Sequence, residues 1–241
     1  MPNIIFILTY EEKMDSKETK ALFGLISKKY DLTNLTISLG LEFYWRKKFR
    51  EFIDCGDRKI LDACCGTGNS TFNVWQGNEH CKVYGIDFSK EMLAIARDKY
   101  KKFGRNLLFQ YADATKLGFG DEYFDAVTIV FGIRNITDRK KALGEFYRVT
   151  KSGGKIVCME FGIPENKGIS LFYNFYLNFV LVNLGGLITG KRKAYRYLAE
   201  SIRSFPVPEK FIGLMSESGW KDVSVLKLNF GICNIYAGYK R

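Results

Sequence analysis

The sequence predicts an α/β fold: a doubly wound, mostly parallel seven-stranded sheet with helices on both faces, an antiparallel C-terminal edge hairpin and a helical insert after the fifth strand. Three observations predict it. Short apolar runs bounded by glycines or acids alternate with helical segments from Lys59 to Phe161, the order that parallel crossovers require. The last two apolar runs, DVSVLKLNF and CNIYAGYK, follow one another with no helix between them, so they pair as a hairpin. The 241 residues, 46% of them apolar and 15% aromatic, suffice for one buried core.

The elements follow in chain order. Residues 1–15 read as a loose extension, because their apolar run lacks preceding basic residues and a small-residue cleavage site and so makes a poor signal peptide. A single domain is expected over 16–241, opening with a helical cap over 16–54. KILDACC is the first strand, TFNVWQ a helix and KVYGID the second strand. SKEMLAIARDKYKKF places Met92, Leu93, Ile95 and Ala96 on one helical face, with Ser89 as its N-cap. NLLFQYAD and FDAVTIVFG are the third and fourth strands. DRKKALGEFYRVTKSGG reads as a helix from Asp138 to a left-handed stop at Gly153–Gly154. KIVCMEF is the fifth strand, residues 162–206 the insert, and PEKFIGLMSESG the helix before the hairpin.

Composition narrows the function. A formal charge of +11, from 37 Lys and Arg against 26 Asp and Glu, points to an anionic partner: nucleic acid, an acidic membrane, or a phosphate- or carboxylate-bearing ligand. The six cysteines include no CxxC pair and the one histidine, His80, lies in the turn-like run GNEH. No metal site and no disulfide framework is therefore expected, and a reduced, cytoplasmic chain is the simple reading.

In a doubly wound sheet, ligands bind beyond the carboxyl ends of the strands. The first strand runs into LDACCGTGN, where Gly66 and Gly68 flank Thr67 and let the backbone approach a ligand. The second ends in Asp87-Phe88, and Asp87 comes nineteen residues after Gly68, the place for a carboxylate that accepts from both ribose hydroxyls. The third ends in Asp113-Ala114, where a carboxylate can take an adenine amine. A dinucleotide site would need a third glycine, but Asn69, Ser70 and Thr71 follow Gly68.

The order Asp62, Gly66, Gly68, Asp87, Asp113 resembles the class I S-adenosylmethionine-dependent methyltransferases, which have a Rossmann-like sheet. By that resemblance Asp62 orders the loop through water or the cofactor's ammonium. Cys64 stands where the family pattern has its first glycine, so its thiol is expected to pack into the core. YDLTNLTISLG, DATKLGFGDEYFDAVTIVFGIRNITD, YRVTKSGGKIVCMEF and YRYLAESIRSFP are similar to the ubiquinone/menaquinone biosynthesis C-methyltransferases, from about Phe23 to Lys240. FGIRN and YRYLAESI are the more specific motifs.

This resemblance implies S-adenosyl-L-methionine as cofactor and a polyprenylated quinol, demethylmenaquinol, as substrate. It places cofactor contacts at Thr67, Asp87, Asp113 and Ala114, and at Val130, where the family often has serine. Arg134 is the candidate that stabilises developing oxyanion charge, with Asn135 orienting the ring. Tyr30 and Asp31 are candidates for covering the site. A homodimer is allowed.

Ile169 to Gly190 contains no charged residue, enough length to span a bilayer. Ser170, Asn174 and Asn178 nevertheless form a polar stripe, and Gly185-Gly186 is expected to break the helix. The segment therefore reads as a lid whose wall is Leu171, Phe172, Phe175, Phe179 and Val182, with Lys191, Arg192 and Lys193 resting on anionic headgroups. That would place the enzyme peripherally on the cytoplasmic side of the membrane. Another lipid or phenol remains an alternative substrate. RNA is the remote one, since the fourth-strand end FGIRN lacks the motifs of base methylation, and no nucleic-acid partner is expected.

Overall fold

The computed structural model describes residues 38, 40–54, 56, 58–77, 79–190 and 192–241. The expected extension, most of the cap, Tyr30, Asp31 and Lys191 lie outside them. One seven-stranded sheet forms the centre: β1 (Lys59–Ala63), β2 (Lys82–Asp87), β3 (Leu107–Tyr111), β4 (Phe124–Val130), β5 (Thr150–Phe161), β6 (Lys221–Leu228) and β7 (Cys233–Tyr239). Their spatial order is β3-β2-β1-β4-β5-β7-β6. The first five are parallel, and β7 runs antiparallel between β5 and the edge strand β6. The expected fold class is the one observed.

Among the described residues the helices are α1 (Leu41–Arg50), α2 (Asn69–Gly77), α3 (Lys90–Lys99), α4 (Arg139–Val149), α5 (Lys167–Phe175), α6 (Val182–Thr189), α7 (Arg192–Ser204) and α8 (Pro208–Glu217), with a π-helical stretch, Tyr176–Leu181, joining α5 to α6. Ser89 caps α3 by accepting from the Met92 N–H at 3.2 Å. Met92, Leu93 and Ala96 are buried, whereas Ile95 is only half-buried.

Two glycine pairs do other work than expected. α4 stops at Val149, and Gly153–Gly154 lie inside β5. The β-branched pair Val149-Thr150 leaves the helix, and Thr150 Oγ1 donates to the Phe146 carbonyl at 2.6 Å. Phe124 pairs with Thr150 and Ala126 with Lys155, so β5 bulges; Gly153 takes φ +80°, and a Cβ on Gly154 would sit 2.6 Å from the Asp125 carbonyl. Likewise Gly185-Gly186 does not break the insert, because the helix continues to Thr189 and turns left-handed at Gly190, φ +71°. A Cβ on Gly185 would lie 2.3 Å from the Tyr195 ring, so this glycine lets α6 and α7 approach closely.

The insert's apolar residues divide between two faces. Tyr173, Leu177, Leu181 and Val182 are buried against the main core. Leu171, Phe172, Phe175 and Phe179, expected to line the site together with Val182, face solvent instead, and so does Leu187. Periodicity cannot say which of two greasy faces turns inward. The polar stripe is consumed internally: Arg203 of α7 donates to the side-chain oxygens of Asn174 and Asn178. By length and composition Lys167–Leu187 could cross a bilayer, yet only 29% of its most apolar window is buried, so its grease lies mostly outside.

Candidate active site

The tips of β1, β2 and β3 meet at Asp87. Its Oδ2 accepts the Gly66 N–H at 2.9 Å and its Oδ1 the Ser89 N–H at 2.9 Å; its carbonyl accepts the Ala112 N–H at 3.2 Å. One residue therefore ties the glycine turn after β1 to the segment leaving β3. Burial pushes the Asp87 carboxyl above its ordinary value, and the N–H groups of Ser89, Gly66 and Phe88 oppose that shift. A carboxylate has about four lone-pair sites, so both oxygens can accept a further donor.

Gly66 and Gly68 adopt φ +56° and +84°, a tight turn in which the Gly66 N–H donates to Asp87 and the Gly68 N–H to the Cys65 carbonyl at 2.9 Å. Thr67 between them is buried, and Phe88 is half-buried beside Asp87. Asp113 is exposed and forms an Asx turn, its Oδ1 accepting both the backbone N–H and the hydroxyl of Thr115 at 2.8 Å. Among the described residues Oδ2 is not engaged, and Ala114 follows half-buried.

Asp62 is fully buried and is held by hydroxyls from two elements. Ser70 and Thr71, in the first turn of α2, donate to its Oδ2 at 2.7 Å, and Thr128 of β4 donates to Oδ1 at 2.9 Å. Three hydroxyls thus tie this carboxylate to the start of α2 and to β4. Burial raises this carboxyl, and the three hydroxyls offset part of the rise.

Cys64 is half-buried and holds a left-handed φ of +55°, costly for a residue with a Cβ. Its side chain packs where Gly132 has none: a Cβ on Gly132 would lie 2.5 Å from the Cys64 Cβ. Burial first, and then the charges of Asp87, Asp62 and Glu160, push the thiol well up, so it is no nucleophile. Gly132→Ala is expected to destabilise the fold by about 2 kcal/mol, and Cys64→Gly in the same chain to recover most of that. A denaturation double-mutant cycle checks the coupling; additive effects would mean that the two residues do not touch.

From buried Val130, the last residue of β4, the chain turns through buried Phe131 and Gly132 into a short 3₁₀ helix, Ile133–Asn135. Arg134, expected to meet an oxyanion, is packed into this turn. Its side chain is 3% exposed and pairs with the fully buried Glu160 of β5, Nη1 to Oε1 at 2.8 Å. Nη1 also donates to the Phe131 carbonyl, Nε to Ser201 Oγ at 3.4 Å, and the guanidinium lies 5.6 Å from the centre of the Phe161 ring. The buried carboxylate offsets the guanidinium charge, and these contacts fix the turn. Asn135 Oδ1 accepts from the Tyr197 hydroxyl at 3.1 Å. The motifs FGIRN and YRYLAESI, sixty residues apart in sequence, therefore touch at two places: Asn135 with Tyr197 and Arg134 with Ser201.

Sequence reasoning missed Glu160. The signal was there: one carboxylate inside the apolar strand KIVCMEF needs a buried cation. It also missed the aromatic packing behind the turn, where Phe131 stacks on Phe161 at 4.3 Å and Trp45 of α1 meets both rings edge-on. Tyr173 packs close enough to feel Arg134 and Glu160, and burial raises its phenol so that it stays neutral. His80 lies exposed in a turn, as expected.

A family model described as the ubiE/COQ5 methyltransferase family matches residues 11–240. The chain is 41% identical over 218 residues to a Thermus thermophilus protein named demethylmenaquinone methyltransferase, covering 90% of this chain and 99% of that one. It is 39% identical over 220 residues to a Bdellovibrio bacteriovorus protein named ubiquinone/menaquinone biosynthesis C-methyltransferase UbiE, covering 90% and 93%. Among solved structures it resembles an S-adenosylmethionine-dependent methyltransferase from Thermotoga maritima, with TM-score 0.65, 19% identity and coverage of 92% and 99%. It also resembles the [4+2]-cyclase SpnF, with TM-score 0.68, 14% identity and coverage of 94% and 97%. These structural likenesses speak for the fold alone.

Proposed function

Because the chain belongs to the ubiE/COQ5 methyltransferase family, we propose that it methylates a ring carbon of a polyprenylated quinol, converting demethylmenaquinol to menaquinol. S-adenosyl-L-methionine, when bound, supplies an electrophilic sulfonium methyl. The observation that carries the reading is the joining of three strand tips through Asp87, with open acceptor positions on Asp87 and Asp113. In this reading Asp87 holds the ribose hydroxyls, Asp113 and Ala114 address the adenine, and the turn Gly66-Thr67-Gly68 lets the backbone approach the amino-acid end. Phe88 and Val130 flank the nucleoside. Asn135, fixed by Tyr197, orients the ring, and Trp45, Phe131 and Phe161 exclude water behind it.

The insert serves a substrate that lives in lipid. Its outward Leu171, Phe172, Phe175, Phe179 and Leu187 rest on the bilayer, with exposed Lys167, Arg192 and Lys193 at the helix ends meeting anionic headgroups. The enzyme then works peripherally at the cytoplasmic face, and residues 162–206 act as the lid of a single domain. Every residue invoked comes from one chain, so the reading suits a monomer and a homodimer alike.

The test presents labelled S-adenosylmethionine and demethylated benzoquinols and naphthoquinols in neutral or anionic vesicles. Label is expected on the naphthoquinol alone, faster and with more bound protein on anionic vesicles. Label on RNA, or on no quinol, would sink the reading; equal binding to both vesicle types would sink its membrane part.

A further inference from the structure

Helix α1 carries a half-buried cation whose hydrogen bonds are incomplete. The Arg46 side chain is 13% exposed, and its Nε and Nη2 both reach Glu42 Oε1, one turn earlier, at 2.6 Å. Its Nη1 is buried and has no hydrogen-bond partner among the described residues. A charged donor left unmade in a protein interior is expensive and calls for an explanation.

Its location supplies one. Trp45, the preceding residue, packs on Phe131 and Phe161, which follow β4 and end β5. The Arg46 charge also holds the Asp62 carboxyl, at the end of β1, and the Cys233 thiol, at the start of β7, below where burial alone would put them. Trp45 thus packs α1 against the carboxyl ends of β4 and β5, and Arg46, the next residue, lies within electrostatic reach of the neighbouring ends of β1 and β7 in the order β1-β4-β5-β7. Both ligands must meet there, and Glu160 has already neutralised Arg134.

We propose that Arg46 Nη1 donates to an anionic oxygen of the bound ligands: the amino-acid carboxylate of the cofactor or the ring oxygen of the quinol. Glu42 holds the fork by its Nε–Nη2 edge, fixing the direction of the remaining donor. This role rests on the reading above that the strand tips hold S-adenosylmethionine. A sequence reader sees only a basic run, Arg46-Lys47-Lys48, and not that its first member turns inward.

Calorimetric titration of wild type, Arg46→Lys and Arg46→Gln with S-adenosylhomocysteine and with 5′-methylthioadenosine, which lacks the amino-acid end, tests it. If the carboxylate is the acceptor, both variants bind S-adenosylhomocysteine about tenfold more weakly and methylthioadenosine as wild type does. If the ring oxygen is the acceptor, both nucleosides bind normally, kcat falls by about tenfold and its pH profile moves to higher pH. Unchanged binding with unchanged turnover overturns the proposal, and so does equal weakening of both nucleosides, which marks a structural role. Arg46→Lys keeps a charge beside Glu42 and carries the test if Arg46→Gln does not fold. A wild type that binds neither nucleoside would instead refute the cofactor reading.

Discussion

Glu160→Gln is expected to lower the unfolding free energy by about 3–5 kcal/mol, the usual consequence of stranding one member of a buried ion pair. Glu160 is fully buried, and its two oxygens accept from Arg134 Nη1 at 2.8 Å, the Arg134 N–H at 3.1 Å and the Phe161 N–H at 2.9 Å. Glutamine keeps the shape but leaves a desolvated guanidinium without a counter-charge. Urea denaturation at constant m-value measures the loss. Replacing both partners, Arg134→Met with Glu160→Leu, is expected to restore only part of the stability, because the buried N–H groups of Arg134 and Phe161 still lose their acceptor, and turnover stays low because Arg134 also braces Phe131 and Ser201. A single-variant loss below about 1 kcal/mol, the range of exposed pairs, would mean that solvent reaches the pair.

Asp87→Ala is expected to abolish measurable cofactor binding. Hydrogen bonds to a charged group contribute about 1.5–3 kcal/mol each, so losing two ribose contacts weakens binding by about a hundredfold at the least. The Gly66 N–H loses its acceptor in the same step, and the glycine turn loosens. Calorimetry with S-adenosylhomocysteine reads the effect, and an unchanged affinity would place the ribose elsewhere. The wild type carries a pH signature of the same group. Burial raises the Asp87 carboxyl, so affinity is full while it is ionised. Affinity then falls as pH drops through the folded value, starting above the pH at which an exposed aspartate takes its proton.

The sheet was legible because β-branched and aromatic runs end in glycines and acids: KVYGID is β2 from its first residue to its last. The three acids at the strand tips were legible through spacing. What misled is tertiary. A glycine pair looks the same whether it stops a helix, lets β5 bulge beside Asp125 or lets Tyr195 approach Gly185. Arg134 reads from sequence as an oxyanion partner or as half of a buried ion pair, and only packing identifies Glu160, twenty-six residues on, as the other half. The insert's composition announced its grease, but only packing shows Leu177 inside and Phe175 outside.

The tethering of three strand ends by one aspartate reaches beyond catalysis. A pocket assembled from segments that meet only when the sheet is complete vanishes on unfolding, so a nucleoside seated there holds the entire chain closed rather than one loop. Mass action then adds about 2.7 kcal/mol at a hundred times the dissociation constant, and melting curves alone become a screen for whatever fits.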